Sequence, residues 1–403
     1  MRGLAVLVAL SLCGCSPAPS TPAPAVVRPG VEMLLESPPA VLRGKRIGLI
    51  TNATGVDRRG RSTIDLLAAS PDFHLVALFG PEHGIRGAAA PGETVASGRD
   101  EKTGLPIYSL YGATRKPTPG MLRDVDALVY DIQDVGVRQY TYVSTLGLAM
   151  QAAAEKGIPF VVLDRPDPIT GRIVGGNILD PKFGSFVGLY PIASRYGMTV
   201  GELARFYNRE FGIHAQLTVV RMEGWKRGMW YDETGLPWVN PSPNIRRLEA
   251  AIDYPGTVFL EGTNLSEGRG TEFPFEQTGA PWLDAGAVAR EMNAMRLPGI
   301  RFEAVRFSVD SAAAKYPGQT LPGVRFVITD RDVYRPIPTT LRLIDAIRRR
   351  HPDHFRWSGT LDRLAGTDRL TKAIEAGTLP RLFAEWDREA ARFRRMRAAD
   401  LLY

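Results

Sequence analysis

Cysteine is nearly missing. Of 403 residues only Cys13 and Cys15 carry a thiol, both near the start. A chain that sheds or modifies them has no disulfide framework and no thiolate nucleophile, so its core must hold the fold. Histidine is scarce too, with five in all. His74, His214, His351 and His354 stand apart from one another, which argues against a zinc site built on clustered imidazoles. No G-x-S-x-G, H-E-x-x-H or Walker loop occurs, so the usual signals of a serine hydrolase, a zinc protease and a phosphate-cradling NTPase are absent. The fragment Gly268-Arg269-Gly270 lacks the further glycine of a dinucleotide loop. Neither sign of charge dominates: 50 Lys and Arg against 43 Asp and Glu give a net charge of +7. The basic residues are scattered, so no nucleic-acid partner is expected. The apolar run at 4–12 is too short to span a bilayer.

What is present begins with that run. A basic start, a short apolar stretch and small residues ahead of a cysteine describe an export signal. Leu12-Cys13-Gly14-Cys15 resembles a bacterial lipoprotein processing box with Cys15 as the lipidated residue. The expected product is exported and membrane-anchored, facing the periplasm from the outer membrane because Ser16 follows the cysteine. The Pro-rich stretch at 17–24 suits an extended tether. Residues 1–30 are thus read as signal and tether, ahead of a larger domain at 31–252 and a smaller α+β one at 253–403.

The length and a 44% apolar, 23% charged composition are those of a soluble globular protein with room for two domains. Strands are expected near 44–52, 74–79, 126–131 and 158–163, alternating with helices near 62–69 and 143–156. Near-continuous apolar strands alternating with helices imply an α/β fold with a mostly parallel sheet. Further helices are expected near 199–211, 284–295, 339–349 and 380–402, with strands near 215–222, 301–307 and 324–329. Thr199 with Glu202 reads as a capping box. The aromatic stretch with Trp225, Trp230, Tyr231 and Trp238 fits either sugar-ring faces or a local core.

Each of the first four strands ends in polar side chains: Thr51 and Asn52, Glu82 and His83, Asp131 and Asp134, Asp164 and Arg165. Parallel strands put their carboxyl ends on one edge, where ligands bind in open α/β sheets. The focus is Gly80-Pro81-Glu82-His83-Gly84, which breaks the second strand and plants an acid beside an imidazole. A carboxyl partly screened from water can hold a proton until near neutral pH and then deliver it. The plainer reading is a turn-capping Glu and a packed His. The acids in this set could also hold a hard cation, but Arg138 and Arg165 beside them offset the charge.

Several blocks then carry a family resemblance: Gly80-Pro81-Glu82-His83-Gly84; Asp131-Ile132-Gln133-Asp134-Val135-Gly136-Val137-Arg138 with Tyr140 and Tyr142; Asp164-Arg165-Pro166-Asp167-Pro168; Pro241-Ser242-Pro243-Asn244; and Glu261-Gly262-Thr263-Asn264-Leu265-Ser266-Glu267-Gly268-Arg269-Gly270-Thr271. In this order they closely resemble the NamZ-type exo-β-N-acetylmuramidases, formerly a domain of unknown function. Tyr196 and Ile245 depart from it, where His and Met are expected. The resemblance implies a Rossmann-like domain without nucleotide or other cofactor, acting on peptidoglycan-derived muropeptides or disaccharides in cell-wall turnover. It makes Glu82 the candidate general acid, with His83 beside it. Asp131 or Asp134 would activate water, unless the substrate's acetamido group assists. Arg138 and Arg269 are candidates for the lactyl carboxylate. Asn52, Asp134, Tyr140, Asp164, Arg165, Asn244, Asn264 and Glu267 complete the expected substrate-binding set. The rival readings are a non-catalytic sugar-binding lipoprotein and an envelope esterase or amidase.

Overall fold

The structure, a computed structural model, describes residues 26–86 and 97–403. The export signal, most of the tether and the proposed lipidation at Cys15 lie outside the described residues.

Seven strands form the main sheet: β1 (Arg46–Thr51), β2 (His74–Gly80), β3 (Gly98–Arg99), β4 (Pro106–Ser109), β5 (Ala127–Asp131), β6 (Phe160–Leu163) and, after a separate two-stranded ribbon of β7 (Gly175–Ile178) and β8 (Ala193–Arg195), β9 (Leu217–Val220). Their order is β3-β4-β2-β1-β5-β6-β9. All neighbours run parallel except the short edge pair β3–β4. Both faces of this sheet are buried. Along β5, Leu128 and Tyr130 belong to one hydrophobic cluster while Ala127 and Val129 belong to another on the opposite face. Side chains alternate across a strand, so a run with no polar positions has to be covered on both sides.

The covering helices are α1 (Gly30–Glu36), α2 (Thr63–Ala69), α3 (Tyr142–Lys156) and α4 (Val200–Glu210). Their ends follow local chemistry. Ser62 Oγ accepts from the Ile64 N–H and starts α2. Gly157, in the left-handed region at φ 71°, stops α3. The expected Thr199–Glu202 capping box is present at α4.

The second half adds α5 (Leu248–Thr257), β10 (Gln277–Gly279), α6 (Ala285–Ala294), β11 (Ile300–Ser308), β12 (Thr320–Ile328), α7 (Pro336–Arg350), α8 (Leu361–Ala365), α9 (Arg369–Glu375) and α10 (Leu379–Arg397). Here β10, β12 and β11 make a separate antiparallel sheet. The α/β class with a smaller α+β part is thus as expected. The apolar cluster on one face of the main sheet continues into this half, from Ile50 to Phe393. The chain end returns to the first half, where the Tyr403 hydroxyl donates to Asp164 Oδ2 at 2.8 Å. Strands β3, β4, β7, β8 and β10 and helices α1, α5, α8 and α9 went unread in the sequence. The strands are short, and three of these helices have seven residues or fewer. Among the described residues no helix is long and apolar enough to cross a membrane.

Candidate active site

The sheet order reverses direction at β1, whose neighbours are β2 on one side and β5 on the other. A crevice opens outside the strand ends at such a switch point. The turn after β2 lies there, closed by the Gly84 N–H donating to the Pro81 carbonyl at 2.9 Å. His83 and Gly84 both sit in the left-handed region, at φ 70° and 73°. A side chain rarely adopts that geometry, so a His held there marks a functional constraint to test.

Glu82 is half-buried, and its Oε2 accepts a hydrogen bond of 2.7 Å from Thr141 Oγ1, just ahead of α3. Tyr111 also hydrogen-bonds Glu82. Burial, and after it the Glu82 charge, push the Tyr111 phenol up to about 12. Tyr111 therefore stays protonated at neutral pH and can donate to the carboxylate.

These groups open into a cavity of 430 Å³. Gln139, Tyr140 and Thr141, from the segment leading into α3, form one side. Tyr254, Val258 and Glu261 form another, at spacings of four and three that place them on one face of α5 and the 3-10 turn after it. Phe275, Ser242, Asn244 and Ile245 complete the apolar and amide lining.

Facing the acid is a compact charge cluster. Arg269 donates to Glu261 at 2.9 Å and to Glu267 at 3.2 Å, while Lys315 donates to Glu267 at 2.9 Å. Burial pushes Glu267 up, but Lys315 and Arg269 outweigh it and hold this carboxyl below the usual range. Burial also pushes Glu261 up, and Arg269 offsets only part of that shift. Arg269 Nε has no partner, and its guanidinium lies 4.8 Å from the Phe275 ring centroid. The cluster is neutral overall and offers fixed donors for an acidic or hydroxylated ligand.

A second cavity, of 450 Å³, adjoins the first. His83 and Ser242 line both and so form the partition, with Asn52, Tyr142 and Trp238 on the far side. Asn52 Oδ1 accepts from Thr54 N–H at 2.9 Å, bracing the loop after β1.

Of the residues expected from sequence, Glu82, His83, Tyr140, Asn244, Glu267 and Arg269 line the first cavity and Asn52 the second. The others do not reach either. Asp131 is fully buried and bound through both oxygens, to Arg165 at 2.5 and 2.9 Å and to Thr63 Oγ1 at 2.5 Å. Asp134 Oδ2 accepts from Gly136 N–H and from the Tyr196 hydroxyl, with burial pushing its carboxyl up to about 6. Tyr196, the departure from the family pattern, is therefore an interior partner of Asp134. Asp164 accepts from Gly201 N–H and Thr199 Oγ1 at the start of α4, beyond a strand separated from β2 by both β1 and β5. Arg138 is also interior: its guanidinium donates to the carbonyls of Asn177, Ile192 and Ala365, and burial pulls it down to about 9. Asn264 braces the segment at 354–356 through His354 and Arg356 main-chain atoms. The acids weighed as cation ligands stay apart, and no group of three potential ligands converges among the described residues. Tyr111, Thr141, Tyr254, Glu261 and Lys315 were not foreseen. Thr141 and Glu261 stood inside blocks that could have flagged them; the other three did not.

Comparison with known proteins matches this arrangement to one family. The family model described as exo-beta-N-acetylmuramidase NamZ, N-terminal, fits residues 47–249, and its C-terminal counterpart fits residues 252–403. The chain is 47% identical over 380 residues to the peptidoglycan beta-N-acetylmuramidase NamZ of Bacillus subtilis, covering 94% of this chain and 91% of that protein. Two crystal structures of DUF1343-family proteins from Bacteroides fragilis superpose on it. One has TM-score 0.87 and 38% identity, the other TM-score 0.74 and 32% identity, each covering 94% of this chain and 99% of the other. With both family models matched end to end and a relative at this identity along nearly its whole length, the chain belongs to the NamZ family.

Proposed function

We propose that this protein is a glycosidase that removes terminal N-acetylmuramic acid from the non-reducing ends of peptidoglycan fragments. The observation that carries the reading is Glu82: a carboxyl at the switch point of a parallel sheet, hydrogen-bonded by Thr141 and Tyr111, at the edge of a cavity sized for one sugar. The activity named for the Bacillus subtilis relative supports the same reading. Glu82 delivers a proton to the leaving oxygen as the C1–O bond breaks, and water completes the hydrolysis at C1. Arg269 and Lys315 hold the acidic lactyl substituent, and Tyr140, Tyr254 and Phe275 pack the ring. The adjoining cavity behind His83 takes the departing portion. The segment beyond residue 253, which supplies Glu261, Glu267, Arg269 and Lys315, closes the cleft over the sugar.

The test is sugar release from a chromogenic N-acetylmuramic acid glycoside and from a muropeptide-derived disaccharide. Glu82→Gln keeps shape and hydrogen bonds but has no proton to give, so kcat is expected to fall by about 10²–10⁴-fold with the far-UV spectrum unchanged. No release by the folded wild-type protein, or full activity in Glu82→Gln, would overturn the proposal.

A further inference from the structure

The β7–β8 ribbon, the first turn of α7 and the middle of α10 enclose another cavity, of 360 Å³, that shares no lining residue with the site around Glu82. Its composition is unusual for an interior gap. Four guanidinium groups line it, from Arg195, Arg335, Arg342 and Arg394, against one carboxylate, from Asp387. None of the four makes an ion pair among the described residues. Their hydrogen bonds go to main-chain carbonyls: Ile169 for Arg195, Asp332 and Tyr334 for Arg335, Pro338 for Arg342 and Val174 for Arg394; Arg342 also lies 4.6 Å from the Phe383 ring centroid and Arg195 5.8 Å from that of Trp230.

Two donors at the buried end have no partner at all. Arg195 is 2% exposed and its Nε is unsatisfied; Trp386 is 2% exposed and its indole N–H is unsatisfied. Buried donors normally find an acceptor, so two left open beside one cavity point to an acceptor that fills it. Burial lowers Arg195 to about 10; the buried Asp167 carboxyl opposes that shift and Arg335 close by adds to it. Four guanidinium groups against Asp387 in the lining and Asp167 behind Arg195 leave the site net positive, most of all at the rim. The remaining lining is apolar, with Ile337 and the half-buried Phe383. An inorganic anion would satisfy the donors but leave that apolar lining empty.

We propose that this cavity binds a small organic anion, a carboxylate or phosphate group on an apolar body, with the anionic head on Arg195 and the Trp386 N–H and the body against Phe383 and Ile337. Arg342 and Arg394 close over it from the rim. Gly175 pairs with Arg195 across the ribbon, so the two share one face of it. A Cβ built on Gly175 meets only Ile337 Cδ1, at 4.0 Å. A larger side chain there would occupy the ligand's space without displacing backbone.

Calorimetric titration of the full chain with phenyl phosphate, benzoate and inorganic phosphate tests this. One aromatic anion or both should saturate a single site, and which one binds tells a phosphate ligand from a carboxylate one. Affinity should fall at least tenfold in Arg342→Ala/Arg394→Ala and in Gly175→Leu, and stay unchanged in Arg269→Ala, whose cation belongs to the other cavity. Both rim arginines are at least partly exposed and should leave the melting temperature unaltered. No saturable binding of either aromatic anion would overturn the proposal. So would inorganic phosphate binding as tightly as phenyl phosphate, or a loss seen in Arg269→Ala but not in the two cavity variants.

Discussion

Asp131 and Glu82 both follow apolar strands of the same sheet, yet the fold gives them opposite surroundings. Asp131 faces Arg165 through two hydrogen bonds in a site where both side chains are 3% exposed or less. Neutralising one member of such a pair strands the other charge in the interior. Asp131→Asn should therefore cost about 3–5 kcal/mol in urea unfolding while leaving kcat per folded molecule near wild type. A variant of normal stability whose kcat collapses would instead make Asp131 a chemical participant. The difference between the two acids was hidden in the sequence. Strand endings are legible, but which ending receives an arginine depends on strand order: β6, which Arg165 follows, lies directly beside β5 and is separated from β2 by both β1 and β5. Lys315 was unreadable for a similar reason. It reaches Glu267 from a loop between β11 and β12, with no local pattern to mark it.

At the scale of elements, the wall built by α5 shows packing overriding propensity. Gly256 stands in the last turn of this helix, one residue after Pro255. Helix propensity alone favours alanine there by about 0.5–1 kcal/mol. A Cβ, however, would sit 2.3 Å from the Pro336 carbonyl oxygen at the start of α7, an atom of the backbone that cannot rotate away. Gly256→Ala should thus destabilise by about 1–3 kcal/mol, against the sign that propensity gives. Because Tyr254 and Val258 flank Gly256 on the cavity wall, KM should rise along with the loss of stability. A more stable variant with unchanged KM would mean that the two helices separate freely. In the first half α2, α3 and α4 were readable because their caps are local: Ser62, Gly157, and Thr199 with Glu202 act within a few residues, whereas α1 has no side-chain cap and went unread. The proline inside α5 masked this one, since such a residue usually ends a helix.

Across the whole molecule, the interior beside the sheet is charged to an extent that sets the pH response. Burial pushes Asp134 up to about 6, and Asp164 and Asp167 up to about 7. In the unfolded chain these carboxyls titrate near 3.9. Between about pH 4 and pH 7 the native state therefore holds more protons than the unfolded state, and stability falls as pH rises through that window. Each carboxyl contributes at most about 1.4 kcal/mol per pH unit to the slope. His351 works the other way, since burial lowers it and the unfolded imidazole takes up its proton first, so stability rises with pH around its titration. Burial also pushes Asp253 well up and Glu261 and Glu276 up, so one imidazole opposes six carboxyls and the net slope stays negative. Below about pH 4.5 the sign changes again, because Asp57, Asp126 and Glu267 are held below the usual range by their cationic partners and lose that stabilisation on protonation. Urea unfolding at half-unit steps should place the maximum near pH 4.5, with a decline of a few kcal/mol, ~2–5, to pH 8. Asp167→Asn separates this mechanism from a general charge effect. Asp167 Oδ2 has no partner and Oδ1 accepts only from Ile169 N–H at 3.2 Å, so an amide fits without breaking a hydrogen bond. That variant should show a shallower slope between pH 5 and pH 7; a slope identical to wild type, or stability rising from pH 5 to pH 8 in the parent, would remove the buried carboxyls as its cause.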